Sequence, residues 1–130
     1  MSARLLTRIG AAAVRENLRV IGGLLFSPDD RRLADGWEDT VGRIWDLAAD
    51  PPNFVELSER PGSHRILSFS PDGHRLAVGD LGGELRVYDA HSGKRLVGIV
   101  SHAGRMRSVA FTGDGRGIWT SGDNDLRLWE

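Results

Sequence analysis

LSFSPDGHRLAVG, residues 67–79, decides the fold. Leu67 and Phe69 alternate with polar neighbours at the period of two that marks a strand rather than a helix. Ser70-Pro71-Asp72-Gly73 is turn chemistry, because Pro presets φ and Gly accepts a left-handed backbone. Arg75-Leu76-Ala77-Val78 then reads as a second strand. The same sentence occurs twice more, as LLFSPDDRRLADG at 24–36 and VAFTGDGRGIWTSG at 109–122. Phe26, Phe69 and Phe111 anchor the three copies at spacings of 43 and 42 residues. Each copy closes on an apolar–aromatic–acid triplet: Ile44-Trp45-Asp46, Val87-Tyr88-Asp89 and Leu128-Trp129-Glu130. A period near 40 residues is the mark of a repeat architecture.

Around the quoted stretch the second copy continues with a turn at 80–83, a third strand at 84–88, a turn at 91–94 and a fourth strand at 95–100. That makes four antiparallel strands per unit. The strands show little clean polar alternation, so both faces of each sheet are expected to be covered. The whole chain of 130 residues is 40% apolar and 27% charged, the balance of a folded domain able to bury about 65% of its unfolded surface.

These units resemble the WD-repeat family of β-propellers, on the strength of the FSPDG-like turns and the RIWDL-like strand ends. The resemblance implies an all-β fold of about three four-stranded antiparallel blades of a WD-repeat β-propeller, incomplete as a single chain. The expected divisions are a leading segment at 1–16 with an outer strand at 4–9, a first blade at 17–59, a second at 60–101, and a third at 102–130 that lacks its outer strand. WD-repeat blades often share a hydrogen-bond chain of His, Ser/Thr, Asp and Trp. Carried over, the third unit holds all four in His102, Thr120, Asp123 and Trp129; its turn is one residue short, so Asp125 rivals Asp123. The first unit keeps Asp39 and Trp45. The second has Arg60, Val78, Gly82 and Tyr88 instead, so Trp129 and His102 are expected to matter more for stability than Tyr88. Gly42 stands where a β-branched residue is usual, which weakens that strand. Trp119 occupies the position of Ala34 and Ala77, and must either fill a gap in a neighbouring blade or face solvent.

The resemblance also implies a non-enzymatic protein–protein interaction scaffold. Its partner-binding rim carries over to Arg65, Arg105, Arg107, Leu81 and Glu38. Arg105 and Arg107, two apart on one strand, point to one side, and with Arg65 they suit an acidic protein or peptide partner. Other chemistry is excluded on residue types. The chain has 0 Cys, so no thiolate metal site or Cys nucleophile exists. Its four histidines lack zinc-motif spacing, Asp123-Asn124-Asp125 lacks the rest of a calcium loop, and no nucleophile elbow occurs. No catalytic residue, metal or cofactor is expected. A formal net charge of −1 argues against nucleic acid. No apolar run reaches the ~20 residues of a membrane span, and residues 1–17 lack the apolar core of a secretory leader, which predicts a cytoplasmic protein. Closed propellers use roughly 4–8 blades. Three blades therefore imply completion by another copy or another chain, the alternative being a fragment or regulatory module of a larger WD-repeat protein, attached to an enzyme in some cases.

Overall fold

The computed structural model describes residues 24–35, 42–58 and 66–130. The expected strand at 4–9, together with Asp39, Glu38 and Arg65, lies outside the described residues. Within them the chain folds into three antiparallel sheets in sequence order. The first holds β1 (Leu24–Phe26), β2 (Arg32–Asp35), β3 (Arg43–Asp46) and β4 (Asn53–Glu56). The second holds β5 (Ile66–Phe69), β6 (Arg75–Gly79), β7 (Glu84–Asp89) and β8 (Arg95–Val100). The third holds β9 (Ser108–Phe111), β10 (Ile118–Ser121) and β11 (Leu126–Trp129). Each is a meander in which neighbours in sequence are neighbours in space, the arrangement that hairpin turns impose.

The first turn of every unit is built alike. Ser27 Oγ donates to Asp29 Oδ1 at 2.7 Å and accepts from Arg32 N at 3.0 Å. Ser70 and Asp72 do the same at 2.6 Å, with Arg75 N at 2.9 Å. Thr112 and Asp114 repeat it at 2.6 Å, with Gly117 N at 3.0 Å. Gly73 and Gly115 adopt φ of 74° and 72°. The first unit reads Asp-Asp where the second reads Asp-Gly, and Asp30 takes the left-handed conformation itself, at φ 60°. Asp is among the few non-glycine residues that tolerate it.

Two apolar seams join the three sheets. Ala34 and Ile44 of the first blade pack with Phe69, Leu76, Val78 and Tyr88 of the second. Ala77, Leu85 and Val87 on the opposite face of the second blade pack with Val109 and Ile118 of the third, sealed by Met106. The middle blade is therefore covered on both faces over its inner three strands. The expectation of full coverage holds there and fails elsewhere. Leu24 and Phe26 of β1 are 63% and 54% exposed, and Trp119 and Leu128 of the third blade 40% and 45%. Strand β8 is also exposed along most of its length. Gly42 precedes β3, which has four residues where β7 has six. The corresponding position in the second blade is Leu85, a core residue.

Candidate functional site

In the third blade a polar chain runs from the seam toward one rim. Trp129 Nε1 donates to Thr120 Oγ1 at 3.0 Å, His102 Nε2 lies 2.9 Å from the same oxygen, and His102 Nδ1 lies 2.8 Å from Asp125 Oδ1. Ser101 Oγ adds a third contact to Thr120 Oγ1 at 2.7 Å. Ser101, His102 and Thr120 are all buried. The protons can be assigned by elimination. A carboxylate only accepts, so in the neutral imidazole Nδ1 carries the proton and Nε2 accepts from the Thr120 hydroxyl. That leaves Thr120 to accept from both Trp129 and Ser101, which fills its two lone pairs.

The turn carboxylate of this chain is Asp125 and not Asp123, correcting the expectation from spacing. The shortened turn carries Asp123 outward, where it accepts from Arg107 Nε at 2.8 Å. Asp125 also accepts from Arg127 Nε at 2.7 Å, and Arg127 caps the Ser101 carbonyl. Arg127 first, and His102 with it, hold the Asp125 carboxyl below its ordinary range. Gly122 keeps the imidazole in place: a Cβ there would sit 2.6 Å from His102 Nδ1.

The first blade solves the same problem differently. Trp45 Nε1 donates to Asp35 Oδ2 at 3.1 Å, and Asp35 Oδ1 accepts from Arg43 N at 3.2 Å. Asp35 stands at the position of Thr120, a departure from the family pattern, and its carboxylate takes the place of the hydroxyl as acceptor. Phe54 packs on the Trp45 ring at 4.7 Å between centroids, with the Arg43 guanidinium over its own ring at 4.6 Å. The second blade places apolar Val78 at that position and a fully buried Tyr88 at the tryptophan's. Beside them Arg86 makes a two-pronged pair with Glu84, at 3.0 and 2.9 Å. That pair, and then the Tyr88 hydroxyl, hold the Arg86 guanidinium above its ordinary value. Tyr88 is fully buried in the seam with the first blade, whereas Trp129 is half-buried.

On the rim, Arg105 and Arg107 precede β9 rather than lying on it. Their alternation survives because Arg107 N donates to Ser121 O at 2.7 Å, extending the ladder by one step. Both side chains are exposed, with buried Met106 between them. Met106, which sequence reasoning passed over, packs against Gly79, where any Cβ would collide with its sulfur. Met106 N also donates to Asp80 O at 3.2 Å, which sets the turn carrying half-buried Leu81 beside the Arg105 segment. A groove of about 460 Å³ opens here, lined by residues that include His102, Arg105, Asp123, Asp125 and Arg127. Arg107 is engaged by Asp123, so the two arginines do not act as an equal pair. Arg105 makes no ion pair among the described residues. No cluster of His, Cys, Asp or Glu among them is placed to hold a metal ion, and no helix among them is long and apolar enough to cross a membrane.

Residues 42–114 match the family model of the anaphase-promoting complex subunit 4 WD40 domain. The chain is 28% identical over 98 residues to the guanine nucleotide-binding protein subunit beta of Arabidopsis thaliana, covering 71% of this chain and 26% of that protein. It is 27% identical over 126 residues to WD repeat-containing protein 3 of Mus musculus, covering 95% and 12%. It is 29% identical over 104 residues to U3 small nucleolar RNA-associated protein 15 of Saccharomyces cerevisiae, covering 78% and 20%. The chain thus spans between 12% and 26% of the lengths of these relatives. Among solved structures, the RRP9 WD40 repeats superpose with a TM-score of 0.69 at 23% identity, covering 86% of this chain and 38% of that one. At that identity the likeness speaks for the fold alone.

Proposed function

The chain belongs to the WD-repeat family of β-propellers, and from that premise we propose that it is a non-enzymatic protein-interaction scaffold whose three blades form part of a propeller completed by another copy or another chain. WD-repeat proteins generally act as protein-interaction scaffolds. The observation that carries the reading here is the state of charge at the third-blade groove. Its two carboxylates are engaged, Asp123 by Arg107 and Asp125 by His102 and Arg127. Arg105 is exposed and without an ion pair among the described residues. An incoming carboxylate therefore meets an uncompensated guanidinium that can take it in two-pronged fashion, with Leu81 as an apolar neighbour. The partner this favours is an acidic peptide segment of a protein.

A second reading has its own support. The chain covers only 12% to 26% of the relatives' lengths, which favours a segment of a larger WD-repeat protein or a regulatory module of one. The rim chemistry is the same in both. The test is fluorescence anisotropy with a labelled Asp/Glu-rich peptide. Arg105→Glu is expected to weaken binding at least tenfold, and added salt to weaken the parent's binding, since exposed charges are screened beyond ~8–10 Å. Arg116→Glu, the same charge change in the turn between β9 and β10, is expected to leave binding within twofold. Equal losses in the two variants would move the binding site off this rim.

A further inference from the structure

The turn aspartates of this protein are of two kinds. Asp29, Asp72 and Asp114 each accept from the backbone N–H two residues on, at 3.0, 2.9 and 3.0 Å, and so fasten the turn they sit in. Asp123 accepts from no backbone N–H among the described residues, and its hydrogen bond there is with Arg107 Nε, at 2.8 Å. The turn does not call for an acid at this place. It is closed by Gly122 N donating to Asp125 O at 3.0 Å, and Asp125 is the carboxylate joined to His102. The second blade has Leu81 two residues past the end of β6, where the third has Asp123 two residues past the end of β10. What the Asp123 carboxylate does is hold Arg107.

Arg107 is half of the pair of guanidiniums that this rim would otherwise present. Arg105 and Arg107 are exposed on either side of buried Met106. At the rise of an extended chain they stand about 7 Å apart, which is also the spacing of alternate residues in an extended peptide. Arg105 makes no ion pair among the described residues, and Asp123 stands with it in the wall of the groove. The Arg107 and Asp123 side chains are 57% and 51% exposed. An ion pair so open to water is weakly held, so Arg107 can exchange one carboxylate for another. Asp123 is still a competitor, because a carboxylate tethered on the adjacent turn acts at a high effective concentration.

We propose that Asp123 is an internal stand-in for the ligand: it occupies Arg107 in the free protein and is displaced by the second acidic residue of a peptide whose first acid is held by Arg105. This rests on the reading above that Arg105 takes an acidic segment. It narrows that segment to an extended one with acids at alternate positions, Asp/Glu-x-Asp/Glu. The two arginines act in turn. Arg105 is open and captures, and Arg107 is released only to a ligand that brings a second carboxylate in register. A segment with a single acid has nothing to exchange for Asp123 and gains nothing from Arg107.

Fluorescence anisotropy with two labelled peptides tests this, the two being identical except for Glu-x-Glu in one and Glu-x-Gln in the other. The parent is expected to bind both within twofold, because the second Glu replaces a carboxylate that Arg107 already has. Asp123→Ala is expected to bind Glu-x-Glu about fivefold more tightly than the parent, the upper range for one exposed ion pair, with Glu-x-Gln changed less than twofold. In an Arg107→Gln background the same Asp123→Ala change is expected to leave Glu-x-Glu binding within twofold, since the coupling needs both partners. Circular dichroism and thermal midpoints check that every variant is folded. An equal gain for both peptides, or a gain that survives in the Arg107→Gln background, overturns the proposal, because either means a general relief of negative charge. Loss of binding in Arg105→Glu with no gain in Asp123→Ala overturns this inference alone. An Arg107-dependent gain in a protein indifferent to Arg105→Glu overturns the reading of Arg105 alone. No binding by the parent or by Asp123→Ala overturns both.

Discussion

The second and third blades share a repeat and stabilise it by opposite means. The second lies between two neighbours, and its centre is held mainly by packing: Leu76, Val78, Leu85 and Tyr88 are each at most 1% exposed, with the Tyr88 hydroxyl beside Arg86. The third has one covered face, and its centre is the satisfied chain Trp129–Thr120–His102–Asp125, with Ser101 attached. Burial scales with the area taken from water, so a blade covered twice can hold its strands together by packing. A blade covered once gains less from packing, and directional bonds among buried groups fasten its strands to the preceding loop instead. Polar groups in such a place have to be fully paired, because each one left without a partner costs ~1–3 kcal/mol.

Tyr88→Ala is the largest test of this contrast. It empties a fully buried site in the seam with the first blade and is expected to cost ~3–5 kcal/mol, the range for aromatic-to-alanine changes in cores. Urea denaturation should show the midpoint falling for the whole chain, since Tyr88 lies in the seam with the first blade. A loss below that of Trp129→Ala would mean that the polar chain outweighs the double coverage.

Thr120→Val sharpens the contrast with almost no change in shape. It removes the central hydroxyl, leaving Trp129 Nε1 and Ser101 Oγ without an acceptor and His102 Nε2 without a donor, for an expected loss of ~2–3 kcal/mol. The reciprocal Val78→Thr puts an unpaired hydroxyl into the apolar seam and is expected to cost ~1–3 kcal/mol. If both changes prove neutral by the same denaturation assay, the two blades are interchangeable at this position and the contrast fails.

Smaller again is the pair Asp125→Ala and Asp123→Ala. The first orphans His102 Nδ1 inside the blade. The second loses an exposed ion pair with Arg107, of a kind that contributes little. Differential scanning fluorimetry should place the Asp125 variant below the Asp123 variant; the reverse order would return the chain's carboxylate to Asp123.

The smallest effect is read with acid. The folded protein holds Asp29, Asp72 and Asp114 below the ordinary carboxylate value of 3.8, chiefly through the Ser or Thr hydroxyl beside each. Asp125 is lowered as well, chiefly by Arg127. A carboxyl lowered on folding contributes stability above its unfolded value and loses it as pH falls through the folded one. Stability should therefore be level from neutral pH down to about the ordinary carboxylate range and fall below it. The turns fail alike in all three blades; Asp125 adds a loss in the third, and Glu84 and Asp89, also held below their ordinary values, add theirs in the second. Urea midpoints measured across the acid range should fall less steeply for Asp125→Asn than for the parent; an unchanged acid dependence would show that Asp125 contributes nothing beyond the shared turns.

Much of this protein is determined by local sequence. Strand alternation, the Ser/Thr-x-Asp turns and the 43- and 42-residue spacing specify three β-units, because each depends on groups a few residues apart. The hydroxyl–imidazole–indole part of the third-blade chain was legible through the family resemblance, with Thr120 and Trp129 diagonal neighbours on one hairpin. Tertiary structure decided the rest. The choice of Asp125 over Asp123 turns on how one shortened loop presents two carboxylates to a histidine more than 20 residues earlier. The engagement of Arg107 by Asp123 depends on the same loop. The burial of Tyr88, the exposure of Trp119 and the seating of Met106 on Gly79 depend on which sheet face meets which. A repeat unit carries the same two faces wherever it stands in the chain, and only the stacking of the units settles which of them are covered.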